Sequence, residues 1–349
     1  MFKKYIAILI VAMVVLTGCM AEKNTANQNS KTGETTQVET TKTTTETSTP
    51  AEESVTTSEK IEIVDGFGTQ TFDSPRTRVV ALEWSLVEEL LITGVQPVGV
   101  ADIENFNKWV TIDAKLAPEV VDVGGRIEPN IEAIANLKPD LILGVKGRHE
   151  KIKGELEKIA PVVMYDNATE AAQADLFAHM LTNLRNTGKL VGKEAEVDTA
   201  IKRLEERYAE AKQAIEQANL PTNQFVFTQA FTVNQAPTFR IFTKNSMVSH
   251  VLENIGLQNK ISDDSESPSG LVETNVEGLA KHDQAMLIHT VQTDDPLFDN
   301  LKNNAAWNGF YFVKENQMYD AGAAVWTFGS VLSMETLIQN VVSVLTSKQ

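Results

Sequence analysis

The chain has 349 residues, a formal net charge of −16 and a single cysteine. Hydrophobic residues make up 42% of it, which is enough for a sizeable globular core. This acidic balance argues against a nucleic-acid partner, because binding to phosphates depends on clustered Lys and Arg side chains.

The first 19 residues have the pattern of a bacterial export signal. Lys3 and Lys4 give a basic start, residues 5–15 are almost wholly apolar, and the sequence LTGC ends the segment at Cys19. The apolar run is shorter than the roughly 20 residues that span a bilayer, so we expect cleavage rather than a transmembrane helix. The sequence LTGC resembles the lipobox of bacterial lipoproteins, which implies that Cys19 is diacylated and anchors the mature chain to the cell membrane.

Residues 20–59 have the composition of a disordered tether. Thr, Ser, Glu, Asn and Gln dominate it, and almost no large apolar side chain is available for burial. A flexible chain of about 40 residues has a reach of roughly 35 Å, which follows from about 5 to 6 Å times the square root of its length. We therefore expect a folded body that stands clear of the membrane while it stays attached.

Residues 60–168 alternate between predicted strands and helices. Asp65 followed by Gly predicts a hairpin, and the buried run from Val79 to Leu82 predicts the first core strand. Ser85 with Glu88 three residues later predicts a capping box at the start of the next helix. This alternation is typical of a doubly wound α/β lobe. The other predicted elements are strands at 97–100, 120–123, 141–143 and 162–165 and helices at 131–136 and 150–158.

Residues 169–220 change to a long helical pattern without any strand signal. A break in this pattern is predicted near Gly188 or Gly192. Strands return in residues 221–349, first at 225–229 and 239–242, and Ser246 then predicts the cap of a further helix.

Two stretches of the first lobe have counterparts in the second. EPNIEAIANLKPDLILG at 128–144 matches ETNVEGLAKHDQAMLIH at 273–289, and SLVEELLITGVQ from Ser85 matches SMVSHVLENIGLQ from Ser246. Any helix-to-strand unit resembles another, but the shared order favours two lobes of similar architecture. The predicted fold class is therefore α/β, with two Rossmann-like lobes bridged by a long α-helix. In open parallel sheets, ligands bind beyond the carboxyl ends of the strands.

Three arginines follow or flank predicted strands, namely Arg126, Arg148 and Arg240. A planar guanidinium pairs with carboxylate or hydroxamate oxygens through two hydrogen bonds, so these residues suggest an anionic ligand. The alternative for each is a surface ion pair with one of the many acids.

Four aromatic residues lie next to predicted strands or helices or in irregular stretches of the chain. Trp84 follows the first core strand, Trp109 lies in an irregular stretch, and Trp326 and Phe328 precede the last helix. Flat side chains with a few polar anchors commonly line ligand pockets, although core packing is the alternative for each tryptophan. For Trp307 we expect packing alone.

Signals for catalysis and for metal binding are weak. The chain has no GxSxG motif, no Gly-rich phosphate loop and no cysteine nucleophile, and HEKIK at His149 lacks the second histidine of a zinc site. We therefore expect neither an enzyme nor a resident cofactor or metal. A hydrolase that uses His149 with a nearby acid, or an adhesive lipoprotein on a Thr-rich tether, remain as alternatives.

Four stretches in order strongly resemble the iron-siderophore substrate-binding lipoproteins of ABC importers, and the ferric-hydroxamate-binding members above all. They are RVVALEWSLVEELLITGVQPVGVAD, NKWV, DVGGRIEPNIEAIANLKPDLILG and AVWTFG. The resemblance covers about residues 61–349. It implies two lobes on one bridging helix, and a monomer that delivers a ferric siderophore to a permease and its ATPase at the extracytoplasmic face. Haem and cobalamin receptors share this fold and are the alternative within the class.

The resemblance also implies site residues. Arg126 would bind the chelate, Trp109 and Trp326 would shape the pocket, and the iron would already be coordinated by its chelator. In a hydroxamate binder we would expect an aromatic residue in place of Arg148 and a tyrosine in place of Phe328. The additional guanidinium charge suits a citrate-based hydroxamate–carboxylate siderophore.

Members of this family present one glutamate on each lobe to arginines of the permease. Glu155 and Glu253 are the candidates in this sequence. Because the chain is rich in acids, a solvated surface position is the alternative for both.

Overall fold

The structure of the protein is a computed structural model, which describes residues 60–261 and 267–347. The predicted leader with Cys19 and the predicted tether at 20–59 lie outside these residues. No helix within the described ranges combines the length and the apolar character that crossing a membrane requires.

An antiparallel hairpin opens the described chain. Its strands are β1, Ile61–Asp65, and β2, Gly68–Phe72. The turn lies at Gly66 and Phe67, one residue later than predicted. Asp65 explains the difference, because its Oδ1 accepts a hydrogen bond from the Phe67 backbone N–H at 2.8 Å and closes the turn from the end of the strand.

A five-stranded parallel sheet forms the core of the first lobe, in the order β5-β4-β3-β6-β7. Strands β3 and β7 are buried along their whole length, as expected of parallel strands covered by helices. The strands are β3 Val79–Ala81, β4 Gly99–Val100, β5 Val121–Asp122, β6 Leu141–Val145 and β7 Val162–Tyr165. The helices are α1 Trp84–Ile92, α2 Ile103–Trp109, α3 Ile131–Asn136, α4 Lys146–His149 and α5 Lys153–Leu156.

The capping box predicted at Ser85 is wrong. Helix α1 begins at Trp84, and Glu83 is its N-cap, with a side chain that accepts from the Trp84 N–H at 3.1 Å. Glu88 is therefore not needed at the start of α1, and it points instead towards the second lobe. The single helix predicted over 150–158 is a 3-10 helix at Glu150–Ile152 followed by α5, which ends at Leu156, and α4 directly precedes both.

Three helical segments connect the two sheets. They are α6 Glu170–Ala174, α7 Leu176–Val191 and α8 Glu194–Gln217. The break between α7 and α8 falls at Gly192, the second of the two predicted positions. Its φ of 66° is left-handed, which glycine adopts without steric cost. An unpredicted break lies at Asp175, whose extended backbone interrupts the helix and whose side chain caps α7 by accepting from Ala178 N.

A six-stranded mixed sheet forms the core of the second lobe, in the order β11-β9-β8-β12-β13, with β10 beside the start of β8. β8 pairs antiparallel with β9 and parallel with β12, so this sheet is not a copy of the first. The strands are β8 Gln224–Val233, β9 Ala236–Phe242, β10 Gln258–Asn259, β11 Leu271–Thr274, β12 Met286–Thr290 and β13 Met318–Asp320. The helices are α9 Met247–Asn254, α10 Val276–Leu279, α11 Leu297–Leu301, α12 Ala305–Gly309, α13 Tyr311–Lys314 and α14 Val331–Thr346.

Matching helix caps bear out the internal repeat. Asn130 caps α3 by accepting from Ala133 N at 3.0 Å, and Asn275 caps α10 by accepting from Gly278 N at 3.0 Å. Each cap leads through its helix to the strand that lies next to an edge of its sheet, β6 in the first sheet and β12 in the second. The predicted α/β class with two bridged lobes is confirmed.

Glu88 of α1 joins the two lobes. Its fully buried carboxylate accepts from the backbone N–H of Ser330 at 2.9 Å and of Ser333 at 3.0 Å, and from the Ser333 hydroxyl at 2.5 Å. These N–H groups open α14, where the Ser330 side chain makes no capping bond. A residue of the first lobe therefore caps a helix of the second. Gly329 makes the approach possible, because a side chain there would collide with this carboxylate.

Candidate functional site

A cleft between the two lobes has two neighbouring compartments. The larger, of about 970 Å³, is bordered by both lobes and by α7, and the smaller is about 340 Å³. These volumes are in the range of small-molecule sites. Phe328 borders both compartments, and Arg148 borders the larger one. The smaller compartment is lined by Trp84, Asp102, Asn105, Trp109, Arg126, Gln229, Arg240, Trp326 and Phe328.

A buried carboxylate holds two of the predicted arginines. Glu83 lies just beyond the carboxyl end of β3, and its side chain is 11% exposed. Its Oε1 accepts from Arg126 Nη1 at 2.7 Å, and its Oε2 lies 3.0 Å from Arg148 Nη1. Sequence reasoning missed Glu83, although a polar residue directly after a buried parallel strand occupies the usual place of a ligand-site residue.

The Arg126 guanidinium lies over the indole ring of Trp84. The Arg126 guanidinium carbon lies 3.6 Å from the centroid of the Trp84 ring and 5.6 Å from that of Trp326. Trp84 is 2% exposed, donates from Nε1 to the Ala101 carbonyl oxygen at 3.2 Å, and packs edge-on against Trp326. Nearly all of the Trp84 ring is therefore used in packing and in the contact with the Arg126 guanidinium.

His149 fixes the backbone at Arg126. Its ring is fully buried, Nδ1 accepts from the Val145 N–H at 3.0 Å, and Nε2 lies 2.8 Å from the Arg126 carbonyl oxygen. Nε2 therefore carries the proton of a neutral ring, and burial favours that state by lowering the pKa of His149. Because the backbone occupies both ring nitrogens, the hydrolase alternative loses its catalytic base.

The second lobe contributes Arg240 on β9. Its Nε lies 2.8 Å from Glu273 Oε1 on β11, and its guanidinium carbon lies 4.8 Å from the centroid of the Phe231 ring. Asp102 Oδ2 also lies 3.9 Å from Arg126 Nε. All three predicted arginines thus border the cleft and also have a carboxylate partner, so the local positive charge is smaller than the arginines alone suggest.

Two buried polar atoms of the smaller compartment have no hydrogen-bond partner within the part of the chain that the structure describes. They are the donor Trp326 Nε1 and the acceptor Gln229 Oε1. An unpaired buried polar group costs about 1 to 3 kcal/mol, so a ligand that pairs with these atoms would recover this free energy. Trp109, half-buried at the end of α2, borders the same compartment.

The remaining predicted residues divide between the cleft and the core. Phe328 packs against Trp326 at 5.4 Å and Phe242 at 5.8 Å between ring centroids. Trp307 is 5% exposed and stacks on Phe239 in the core of the second lobe, as expected. Among the described residues, no three His, Cys, Asp or Glu side chains converge in a way that could hold a metal ion.

Two α/β lobes on a helical bridge, with arginines and indole rings at the cleft between them, define a substrate-binding protein. The chain belongs to the periplasmic binding protein family, whose sequence profile matches residues 79–325. The predicted relationship to the siderophore-binding components of ABC importers is confirmed. Family members of this kind bind substrates and are not enzymes.

Individual relatives support the assignment of the chain to this family. The chain is 31% identical over 279 residues to the putative ABC transporter substrate-binding lipoprotein YhfQ of Bacillus subtilis, which covers 77% of this chain and 83% of the relative. It is 29% identical to the Fe(3+)-citrate-binding protein YfmC of the same organism, over 82% of this chain and 86% of the relative. The crystal structure of Fe3+-Desferal-bound siderophore-binding protein FhuD from Vibrio cholerae matches with a TM-score of 0.68 at 27% identity, and the match covers 78% of this chain and 98% of that chain.

Proposed function

We propose that this protein is a receptor on the extracytoplasmic face of the cell membrane that binds a ferric siderophore and delivers it to the permease and ATPase of an ABC importer. The observation that carries the proposal is the convergence of three guanidinium groups and two indole rings on one cleft between the lobes. These groups belong to Arg126, Arg148, Arg240, Trp109 and Trp326. Guanidinium donors suit the oxygens at the rim of a chelate, and indole rings suit its flat apolar surface.

The ligand class is a hydroxamate or a citrate-hydroxamate chelate of iron(III). A relative named for ferric citrate and a solved relative with Fe3+-Desferal bound support this class over haem or cobalamin. The chelator itself coordinates the iron, so no protein side chain needs to bind the metal. An affinity in the nanomolar range requires about 12 kcal/mol, of which each charged hydrogen bond contributes about 1.5 to 3 kcal/mol. Aromatic contacts would supply much of the remainder.

The proposal includes a lipid anchor. The lipobox-like sequence ending at Cys19 supports diacylation of that residue, and a relative described as a lipoprotein supports it further. Residues 1–19 would be the leader, 20–59 the tether, 60–168 and 221–349 the two lobes, and 169–220 the bridge. One such chain would act as a monomer, since the cleft is formed by its own two lobes.

Tryptophan fluorescence tests the ligand class. We expect saturable quenching on titration with a ferric hydroxamate or a ferric citrate-type chelate, because Trp109 and Trp326 border the cleft. Ferric catecholates and haem should quench far less at equal concentration. Trp326→Phe should remove much of the change, whereas Trp307→Phe, which alters a core tryptophan, should preserve it. Absence of quenching by every chelate would contradict the receptor function.

We also propose that Glu155 and Glu253 dock on the permease. Both side chains are exposed, Glu155 on α5 of the first lobe and Glu253 on α9 of the second, and neither lines the cleft. The double variant Glu155→Arg with Glu253→Arg should abolish uptake of radioactive iron by cells while chelate affinity stays within twofold. The matched control is Glu205→Arg with Glu216→Arg, at exposed positions of α8. Normal uptake in the first variant would exclude these two residues.

A further inference from the structure

The charge at the centre of the cleft is set by a triad of Glu83, Arg126 and Arg148. Both oxygens of the Glu83 carboxylate are engaged, Oε1 with Arg126 Nη1 at 2.7 Å and Oε2 with Arg148 Nη1 at 3.0 Å. Oε1 also accepts from the Trp84 N–H at 3.1 Å. The triad therefore carries one net positive charge, where the two arginines alone would carry two.

Glu83 differs in burial and in contact from the other two acids that pair with arginines of the cleft. Its side chain is 11% exposed, whereas the side chain of Glu273, which pairs with Arg240, is 53% exposed and better screened by water. Asp102 approaches Arg126 only to 3.9 Å. Among the three carboxylates that pair with these arginines, Glu83 is thus the most buried, and it is the one that contacts two guanidinium groups.

Both guanidinium groups keep donors free for a ligand. A guanidinium has five N–H donors, and the Glu83 carboxylate lies against one terminal nitrogen of each arginine. The Arg126 side chain is 20% exposed and the Arg148 side chain 35% exposed, so both can be reached from the cleft. A ligand oxygen on the far side of either group would lie roughly 6 to 8 Å from the Glu83 carboxylate, the span of one guanidinium and two hydrogen bonds.

We propose that Glu83 selects the charge of the chelate that this cleft accepts. The inference rests on the proposed function and names the discriminating residue within it. The Glu83 carboxylate favours a neutral or cationic chelate, such as a tris-hydroxamate, and disfavours one with several negative charges, such as a citrate complex. At about 7 Å and an effective dielectric constant of about 20, each unit of ligand charge changes the Kd by roughly ten- to fiftyfold. Glu83 acts through the arginines and is a positioning residue as well as a source of charge.

The test compares Kd values for ferrioxamine B, a cationic hydroxamate chelate, and ferric dicitrate, an anionic chelate. In Glu83→Gln, the affinity for ferric dicitrate relative to ferrioxamine B should rise at least tenfold above the wild-type ratio. Glu83→Asp keeps the charge but shortens the side chain, so both affinities should fall while their ratio stays at the wild-type value. Glu104→Gln makes the same change in net charge at an exposed position of α2 and should leave the ratio unchanged.

The ratio of the affinities for ferric dicitrate and ferrioxamine B distinguishes a role of Glu83 in charge selection from a role in folding. A wild-type ratio in Glu83→Gln, with a melting temperature that shows the variant is folded, would overturn the inference. If that variant does not fold, Glu83→Gln combined with Arg148→Gln is compared with Arg148→Gln alone, where the ratio should again be at least tenfold higher in the double variant, and equal ratios would overturn the inference. A wild-type protein that binds neither chelate, and shows no fluorescence quenching by any other ferric chelate, would instead contradict the proposed function, and this inference with it.

Discussion

Replacing Arg126 with alanine is expected to weaken chelate binding at least a hundredfold. The Arg126 guanidinium is fixed by Glu83 at 2.7 Å and by the Trp84 ring at 3.6 Å, so its remaining donors point to the cleft at little entropic cost. Loss of two charged hydrogen bonds, at about 1.5 to 3 kcal/mol each, corresponds to a factor of about a hundred or more in Kd. Isothermal titration calorimetry with the chelate that quenches tryptophan fluorescence measures the effect.

The same substitution should also lower stability, because it leaves the Glu83 carboxylate with Arg148 as its remaining salt-bridge partner among the described residues. We expect a loss of about 1 to 3 kcal/mol in the free energy of unfolding. Arg126→Ala combined with Glu83→Gln should recover stability without recovering affinity, which separates the two effects. Lys212→Ala, at an exposed position of α8, is the control for loss of a positive charge. Affinity within threefold of the wild type in Arg126→Ala would exclude Arg126 from the site.

The fold was predictable because its signals are local. Asn130 and Asn275 each cap a helix by accepting from the backbone N–H three residues later, so the repeat is visible in short stretches of sequence. Gly192 likewise ends α7 through its own left-handed backbone. Hydrophobic runs, caps and turn residues of this kind predict the structure of the residues next to them in the sequence.

The chemistry of the site was less predictable because its partners are distant in sequence. The arginines could be placed at strand ends, but their net effect depends on Glu83, which is 43 residues before Arg126, and on Glu273, which is 33 residues after Arg240. Glu88 matches a local capping box by spacing, yet its hydroxyl partner is Ser333, 245 residues away. Spacing alone cannot distinguish a carboxylate that caps its own helix from one that caps a helix of another lobe.

Two adjacent carboxyl groups at the lobe contact are expected to be protonated near neutral pH. Burial raises the pKa of Glu88 to about 7, an effect that outweighs the hydrogen bonds from Ser333 and Ser330, which favour the ionised form. Burial and the neighbouring charge of Glu88 raise the pKa of Glu89 to about 8, against the hydrogen bond from the Thr187 hydroxyl at 2.6 Å. The folded protein therefore binds protons that its unfolded chain has already released.

The contribution of these two groups to the free energy of unfolding should consequently fall by about 3 kcal/mol between pH 6.5 and pH 9. In the unfolded chain both carboxyl groups titrate near 4.5, so they are ionised throughout this window, whereas the folded protein loses its protons as the pH passes about 7 and about 8. A raised pKa in the folded state thus stabilises the protein at the low end of the window. Burial lowers the pKa of His149, His179, His250 and His282. The unfolded chain, whose histidines titrate near 6.5, therefore holds protons at pH 6.5 that the folded protein lacks, and this opposes the fall by at most about 0.4 kcal/mol for each histidine.

Urea unfolding at four pH values across this window measures how the free energy of unfolding changes with pH. Glu88→Gln combined with Glu89→Gln should remove this contribution, so that the wild type loses about 3 kcal/mol more than the variant across the window. A glutamine keeps an acceptor for Ser330 N and for the Thr187 hydroxyl but has no proton to lose. Glu205→Gln, at an exposed position of α8, should leave the slope as it is in the wild type. An equal change in stability between pH 6.5 and pH 9 in the wild type and in the double variant would show that both carboxylates are ionised in the folded state, and that hydrogen bonding from α14 and Thr187 outweighs their burial.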